Sequence, residues 1–179
     1  MPIQLPHVSA LSTEHVVSAF NNQFLAAENT LLCGGADEPY YIPSIDQRPA
    51  SIWFRSDYVR SALHEVAHWC VAGRVRRQQE DYGYWYTPDD RDGVQQAAFF
   101  AVEARPQAIE RRFCDALDLP FQPSVDNLSL VIDPDALQLF ADRLEQYYQQ
   151  YARQGLPRRA TLFFDALKVL LVSSERNVT

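Results

Sequence analysis

Four histidines occur in the 179 residues, and two of them fall in one run, His64-Glu65-Val66-Ala67-His68. On a helix, residues four apart share a face, one turn above the other. Two imidazoles so placed can grip one metal ion. Glu103, in Phe99-Phe100-Ala101-Val102-Glu103-Ala104, offers a carboxylate as third ligand. Two histidines and one carboxylate leave coordination positions open, the mark of a reactive metal rather than a structural one. Glu65 lies about 100° around the helix from His64 and cannot point with both histidines. In zinc peptidases a glutamate at that place is the general base acting on water. One chemistry is therefore zinc-dependent hydrolysis with Glu65 as catalytic base. The set His64, His68 and Glu103 suits non-haem Fe(II) and O2 equally well. Spacing does not separate the two, because imidazole binds both metals. The jelly-roll 2-oxoglutarate oxygenases are excluded, since no His-x-Asp or His-x-Glu pair occurs in the chain.

The elements that must position these residues can be read from periodicity and punctuation. A first helix starts after Ser12 or Thr13, carries Val16, Val17, Phe20, Phe24 and Leu25, and ends near Glu28. Three short β-like stretches follow, Thr30–Cys33, Tyr40–Ile42 and Ser51–Arg55, broken by Gly34-Gly35, Pro39, Pro43 and Pro49. The motif helix comes next, with Ser56 or Asp57 as cap. Val59, Leu63, Val66, Cys70 and Val71 form its apolar stripe, and the two histidines beside that stripe should face inward. Arg74, Arg76 and Arg77 crowd its far end, where helix-terminal carbonyls favour cations; substrate binding ranks second. Residues 81 to 93 read as a loop dense in aromatics and acids. Another helix starts near Gly93 and carries Glu103. Pro106 marks a break, or the first turn of a next helical stretch reaching about Leu117. Asp133-Pro134 opens a helix ending near Gly155, and Leu156-Pro157 opens the last one. The expectation is α+β: a single helix-rich domain, residues 1–179, over a small β-sheet, and not a jelly-roll.

Composition narrows the setting. The net charge of −7 argues against a nucleic-acid partner and fits a cationic substrate. Three cysteines, Cys33, Cys70 and Cys114, match neither a disulfide framework nor a zinc knuckle and read as small buried hydrophobes. No segment reads as a signal peptide or reaches membrane-spanning length, so a soluble cytoplasmic protein is expected.

The stretch Ser61-Ala62-Leu63-His64-Glu65-Val66-Ala67-His68-Trp69-Cys70, then Tyr82-Gly83-Tyr84-Trp85-Tyr86, then Gln95-Gln96 through Phe99-Phe100-Ala101-Val102-Glu103, resembles the elongation factor P hydroxylases over nearly the whole chain. The resemblance implies an enzyme that hydroxylates a modified lysine of elongation factor P after a β-lysyl group has been attached. It implies a divalent metal held by His64, His68 and Glu103, with iron as the metal. O2 is then the co-substrate, and the electrons come from a reductant of unspecified class. It also implies a fold unlike other hydroxylases and close to a metal-dependent ribonuclease of ribosome maturation. For a cationic lysine chain, Tyr84, Trp85 and Tyr86 offer cation–π contact and Asp89, Asp90 and Asp92 offer attraction. Each has a plain alternative as core edge or solvated surface. Glu65 is left with three roles to choose from: catalytic group, ligand-orienting group, or partner in a surface salt bridge. Trp69 is expected to pack beside the metal pocket, and His7 and His15 to lie at the surface.

Overall fold

The computed structural model describes residues 12–56, 58–83, 93–125 and 132–176. Helix α1, Thr13–Glu28, leads into strands β1, Thr30–Ala36, β2, Tyr40–Ile42, and β3, Ala50–Arg55. The motif helix α2, Val59–Val71, follows, then two 3-10 turns at Arg76–Gln78 and Glu80–Gly83. Three long helices complete the chain: α3, Gly93–Ala116, α4, Pro134–Gln154, and α5, Arg158–Arg176. The architecture is helix-rich α+β, as the periodicity implies.

Ser12 caps α1, and its N–H donates to Nδ1 of His15 at 3.3 Å. His15 is thus an exposed part of a helix start. Phe20 and Phe24, one turn apart, are fully buried from the same face, whereas Leu25 is exposed. Asn29 ends the helix with φ +48°, a left-handed conformation that asparagine tolerates better than most residues.

The sheet has strand order β1-β3-β2, with β3 central, parallel to β1 and antiparallel to β2. Along β3, Ala50, Ile52 and Phe54 are buried while Ser51 and Trp53 are half-exposed, the alternation of a sheet covered on one face. Gly34 sits over the Phe54 ring so closely that a Cβ there would lie 2.7 Å from a ring carbon. Any side chain would displace the phenylalanine and loosen the sheet.

An aromatic cluster welds the helices together. The Trp69 ring of α2 packs edge-on against Phe20 at 5.2 Å and Phe24 at 4.9 Å, and Phe163 of α5 meets Phe20 and, at 5.0 Å, Phe113 of α3. Trp69 therefore points into the core between α1 and α5 rather than beside the histidines. The reason is rotational: one residue beyond His68 is a turn of about 100°.

Both ends of α2 differ from expectation. Its N-cap is Tyr58, without a side-chain bond, and Ser56 has φ +49°, which is no capping conformation. Asp57 lies outside the described residues. At the other end the last carbonyls are gathered by α5. One Nη of Arg159 donates to the carbonyls of Trp69, Cys70 and Ala72 at 2.9, 3.1 and 2.7 Å. Orphan C-terminal carbonyls and their partial negative charge favour a cation there. The neighbouring arginines serve elsewhere: Arg77 pairs with Glu28 at 3.2 Å, and Arg76 donates to the carbonyl of Tyr82.

Pro106 corrects the expected break. It lies inside α3, which continues unbroken to Ala116. Proline removes one N–H from the helical ladder, but burial of Phe99, Phe100, Ala104, Ala108, Ile109 and Phe113 holds the helix through it.

Candidate metal centre

The site is built by two helices. On α2 the buried stripe Leu63, Val66, Ala67 and Cys70 anchors the helix, and His64 and His68 stand beside it with a quarter or less of their side chains exposed. On α3, Glu103 and Glu110 are seven residues apart, two helical turns, and therefore share a face. Both are buried, each 3 % exposed. Fully buried alanines, Ala62 and Ala67 on α2 and Ala104 and Ala108 on α3, keep both helix surfaces thin.

Three donors converge. The Nε2 atoms of His64 and His68 are 3.1 Å apart. Glu103 Oε1 is 3.1 Å from His68 Nε2, and its Oε2 is 3.7 Å from His64 Nε2. Among the described residues this is the group of histidine, cysteine or acidic side chains able to hold a metal ion. Donors bound at about 2.1 Å to one ion stand about 3.0 Å apart at right angles and about 3.4 Å at the tetrahedral angle. The observed separations lie within about 0.3 Å of that range, so the residues fit a metal.

The surroundings fit it as well. Nδ1 of His64 lies 2.8 Å from Glu110 Oε2. An imidazole that donates its Nδ1–H to a carboxylate keeps its Nε2 lone pair for a metal and is held in orientation. Glu110 is held in turn by Arg60, 2.9 Å from its Oε1; Arg60 also donates to the Gln122 carbonyl at 2.7 Å. Gln107, fully buried, donates to Glu103 Oε2 at 3.2 Å and to the Ser124 carbonyl at 2.8 Å, and accepts from the Ser124 N–H. Both carboxylates are thereby tied to the segment that follows α3.

Without a metal the cluster is a proton trap. Burial works against a charged His64, but the hydrogen bond and charge of Glu110, with the charges of Glu103 and Glu65, overcome it and hold the imidazolium up to about 10. Burial pushes Glu103 upward, yet His68, His64 and the Gln107 bond bring it down to about 2. Glu65 is half-buried, and among the described residues it has no hydrogen-bond or ion-pair partner. Burial raises its carboxyl pKa, against the lowering effect of His64 and His68, and the like charges of Glu103 and Glu110 raise it further. The surface salt bridge considered for Glu65 is not seen among the described residues.

The sequence pattern reached His64, His68, Glu65 and Glu103; the structure brings the two histidines and Glu103 within donor distance of one another, with Glu65 as an electrostatic neighbour. It did not reach Glu110, Gln107 or Arg60. The tyrosine-rich loop from Tyr84 to Asp92 lies outside the described residues. Just before it, Asp81 and Tyr82 both adopt left-handed backbone, φ +46° and +58°. The Tyr41 N–H donating to Asp81 Oδ1 at 2.8 Å and the Tyr41 ring stacked on Tyr82 at 4.3 Å hold that turn in place.

Comparison with known proteins identifies relatives of the chain. A family model described as elongation factor P hydroxylase matches residues 19–178. The chain is 40% identical over 166 residues to the elongation factor P lysine hydroxylase of Haemophilus influenzae, covering 92% of each protein.

Proposed function

Because the chain belongs to the elongation factor P hydroxylase family, we propose that it hydroxylates a lysine of elongation factor P, in its β-lysylated form, with a divalent metal held by His64, His68 and Glu103. The observation that carries the metal reading is the convergence of two Nε2 atoms and one carboxylate within 3.1–3.7 Å of one another. Iron is the metal that matches the reaction class: a bound Fe(II) supplies redox activation of O2, which zinc lacks. Placing one oxygen atom in a C–H bond while the other leaves as water takes two electrons and two protons from a reductant.

The protein's own groups have definable tasks. Glu110 fixes the tautomer and plane of His64, and Gln107 fixes Glu103, so the donor triad is organised before substrate arrives. Glu65, beside the histidines and without a hydrogen-bond or ion-pair partner among the described residues, serves to orient the substrate ammonium or to pass a proton. A closed structural metal site is disfavoured, because Glu110, which could have been a fourth donor, turns to His64 Nδ1 instead of joining the other three. Among the described residues no helix is long and apolar enough to cross a membrane, and the proposed translation-factor substrate is in keeping with a cytoplasmic enzyme.

The test is direct. The protein is loaded with Fe(II) without oxygen, mixed with β-lysylated elongation factor P, and exposed to O2 with a panel of reductants. A gain of about 16 Da in the intact mass of the factor, the addition of one oxygen atom, supports the reading; no gain under any reductant overturns it. A second reading, a zinc metallopeptidase with Glu65 as base, draws support from the half-buried Glu65 carboxylate, which has no hydrogen-bond or ion-pair partner among the described residues. Zinc-dependent peptide cleavage in the absence of any mass gain would establish it instead.

A further inference from the structure

The donor triad opens onto a larger cleft. A cavity of about 470 Å³ begins at His68 and extends past the end of α2 along α3. Pro106 and Tyr147 are part of its wall, and three arginines line it: Arg74 and Arg76 from the segment after α2, and Arg105 from α3. Among the described lining residues none is acidic. That is unexpected in a chain with 23 acidic and 16 basic residues. Arg105 is exposed, and its Nε donates to the Tyr151 hydroxyl at 2.9 Å, which aims the guanidinium. Arg74 is exposed too, and among the described residues neither Arg74 nor Arg105 has a carboxylate partner.

We propose that this arginine-lined cleft docks an acidic stretch of the protein substrate next to the lysine that is modified, with Arg74 and Arg105 pairing to its carboxylates. The inference rests on the hydroxylase reading above. A bare lysine approaching His68 would meet the repulsion of three guanidinium groups. Carboxylates seated among them cancel that repulsion and hold the polypeptide while the lysine reaches the triad. The arginines come from two separate elements around a cleft that accommodates several side chains, more than a single small anion needs. Guanidinium groups also match carboxylates in shape, through paired N–H donors.

Binding can be measured apart from turnover. The full-length protein, loaded with redox-inert zinc, is titrated with fluorescently labelled β-lysylated elongation factor P at low and moderate salt. One exposed guanidinium–carboxylate contact contributes about a factor of two to five in affinity. Arg74→Glu combined with Arg105→Glu turns two attractions into repulsions, so Kd should rise on the order of tenfold or more, with a weaker salt dependence. Arg105→Lys should recover most of the affinity. Arg48→Glu, exposed in the segment before β3, makes an equal charge change away from the cleft and should leave Kd as it was. In the hydroxylation assay the double variant should show the same factor in KM rather than in kcat. Zinc content and melting temperature verify that each variant is folded. An unchanged Kd in the double variant overturns the proposal, as does a wild-type protein that does not bind the factor. Citrate or phosphate binding that is lost in the variants, with the factor's Kd unchanged, overturns it in favour of a small-anion site. Failure of the hydroxylase reading shows separately, as wild-type binding without any mass gain.

Discussion

Glu110→Gln separates the two effects of one carboxylate on the metal. The amide oxygen can still accept the His64 Nδ1–H now 2.8 Å from Glu110, but its charge is gone. That charge acts twice. It makes Nε2 a better donor, and carboxylates behind metal-binding histidines typically contribute about 10- to 100-fold in affinity. It also holds a proton on the metal-free ring up to about 10, and that proton must leave before metal binds. At pH 7 the ring is about three units below that value, so deprotonation costs about 4 kcal/mol. Wild-type affinity should therefore rise about tenfold per pH unit, or about 100-fold from pH 7 to pH 9. In Glu110→Gln, burial lowers the ring's proton affinity with little to oppose it, and this dependence should flatten. The two curves converge and cross: the variant binds about 10- to 100-fold tighter than the wild type at pH 7, where the proton costs the wild type about a thousandfold, and equally to about tenfold more weakly at pH 9, where it still costs about tenfold. Competition for Zn(II) against a fluorescent chelator across that range measures both curves. Calorimetry in buffers of different ionisation heat counts the released proton. A wild-type affinity independent of pH between 7 and 9, or equal slopes in both proteins, would refute the reasoning.

Removing the acidic ligand in Glu103→Ala should abolish stoichiometric metal binding and hydroxylation while circular dichroism stays that of the wild type; full activity would show that the carboxylate ligand lies elsewhere. Glu65→Gln should cost less than about tenfold in the hydroxylation rate, whereas loss of a general base typically costs about 10²- to 10⁴-fold, so a loss beyond about 100-fold would return Glu65 to that role. Arg159→Ala strips the donor from three carbonyls at the end of α2 and should destabilise by about 2 kcal/mol, seen as a lower urea midpoint; an unchanged midpoint would mean that water caps the helix equally well. The metal-free protein should be most stable near neutrality. The His64 pKa is raised, so its contribution is complete below about 6.5 and disappears as pH rises through about 10; the Glu103 pKa is lowered, so its contribution is complete above about 4.5 and disappears as pH falls through about 2. Thermal melts from pH 3 to pH 10 test both limbs, and a melting temperature that climbs steadily from pH 7 to pH 10 would contradict the assignment.

Much of the arrangement was legible because it is local. His64 and His68 share a helix face by spacing alone, and the strands announce themselves through alternation between glycine and proline breaks. Glu110 was hidden by Pro106. A proline reads as a helix boundary, and a boundary there assigns Glu103 and Glu110 to different elements. Read through the proline, they are two turns apart on one face, a signal present in the sequence all along. Two other features depend on tertiary packing and leave no local trace. Sequence alone offers nearby arginines to the end of α2, because nothing local indicates that Arg159 arrives from α5 to meet the carbonyls of Trp69, Cys70 and Ala72. Adjacency to His68 suggests the metal pocket for Trp69, yet its ring belongs to the cluster with Phe20, Phe24 and Phe163.

The Arg159 clasp also bears on the order in which the protein is made. A growing chain has both histidines, Glu103 and Glu110 while Arg159 and Phe163 are still untranslated. At about 5–20 residues per second, the roughly 50 residues from Glu110 to Arg159 take about 2–10 s to add. Throughout that interval α2 lacks the cation that gathers its last carbonyls and one ring of the cluster that seats Trp69. The metal donors are thus synthesised early and secured late. A chain truncated before α5 would carry every ligand and still lack the clasp that sets the end of α2, one turn beyond His68.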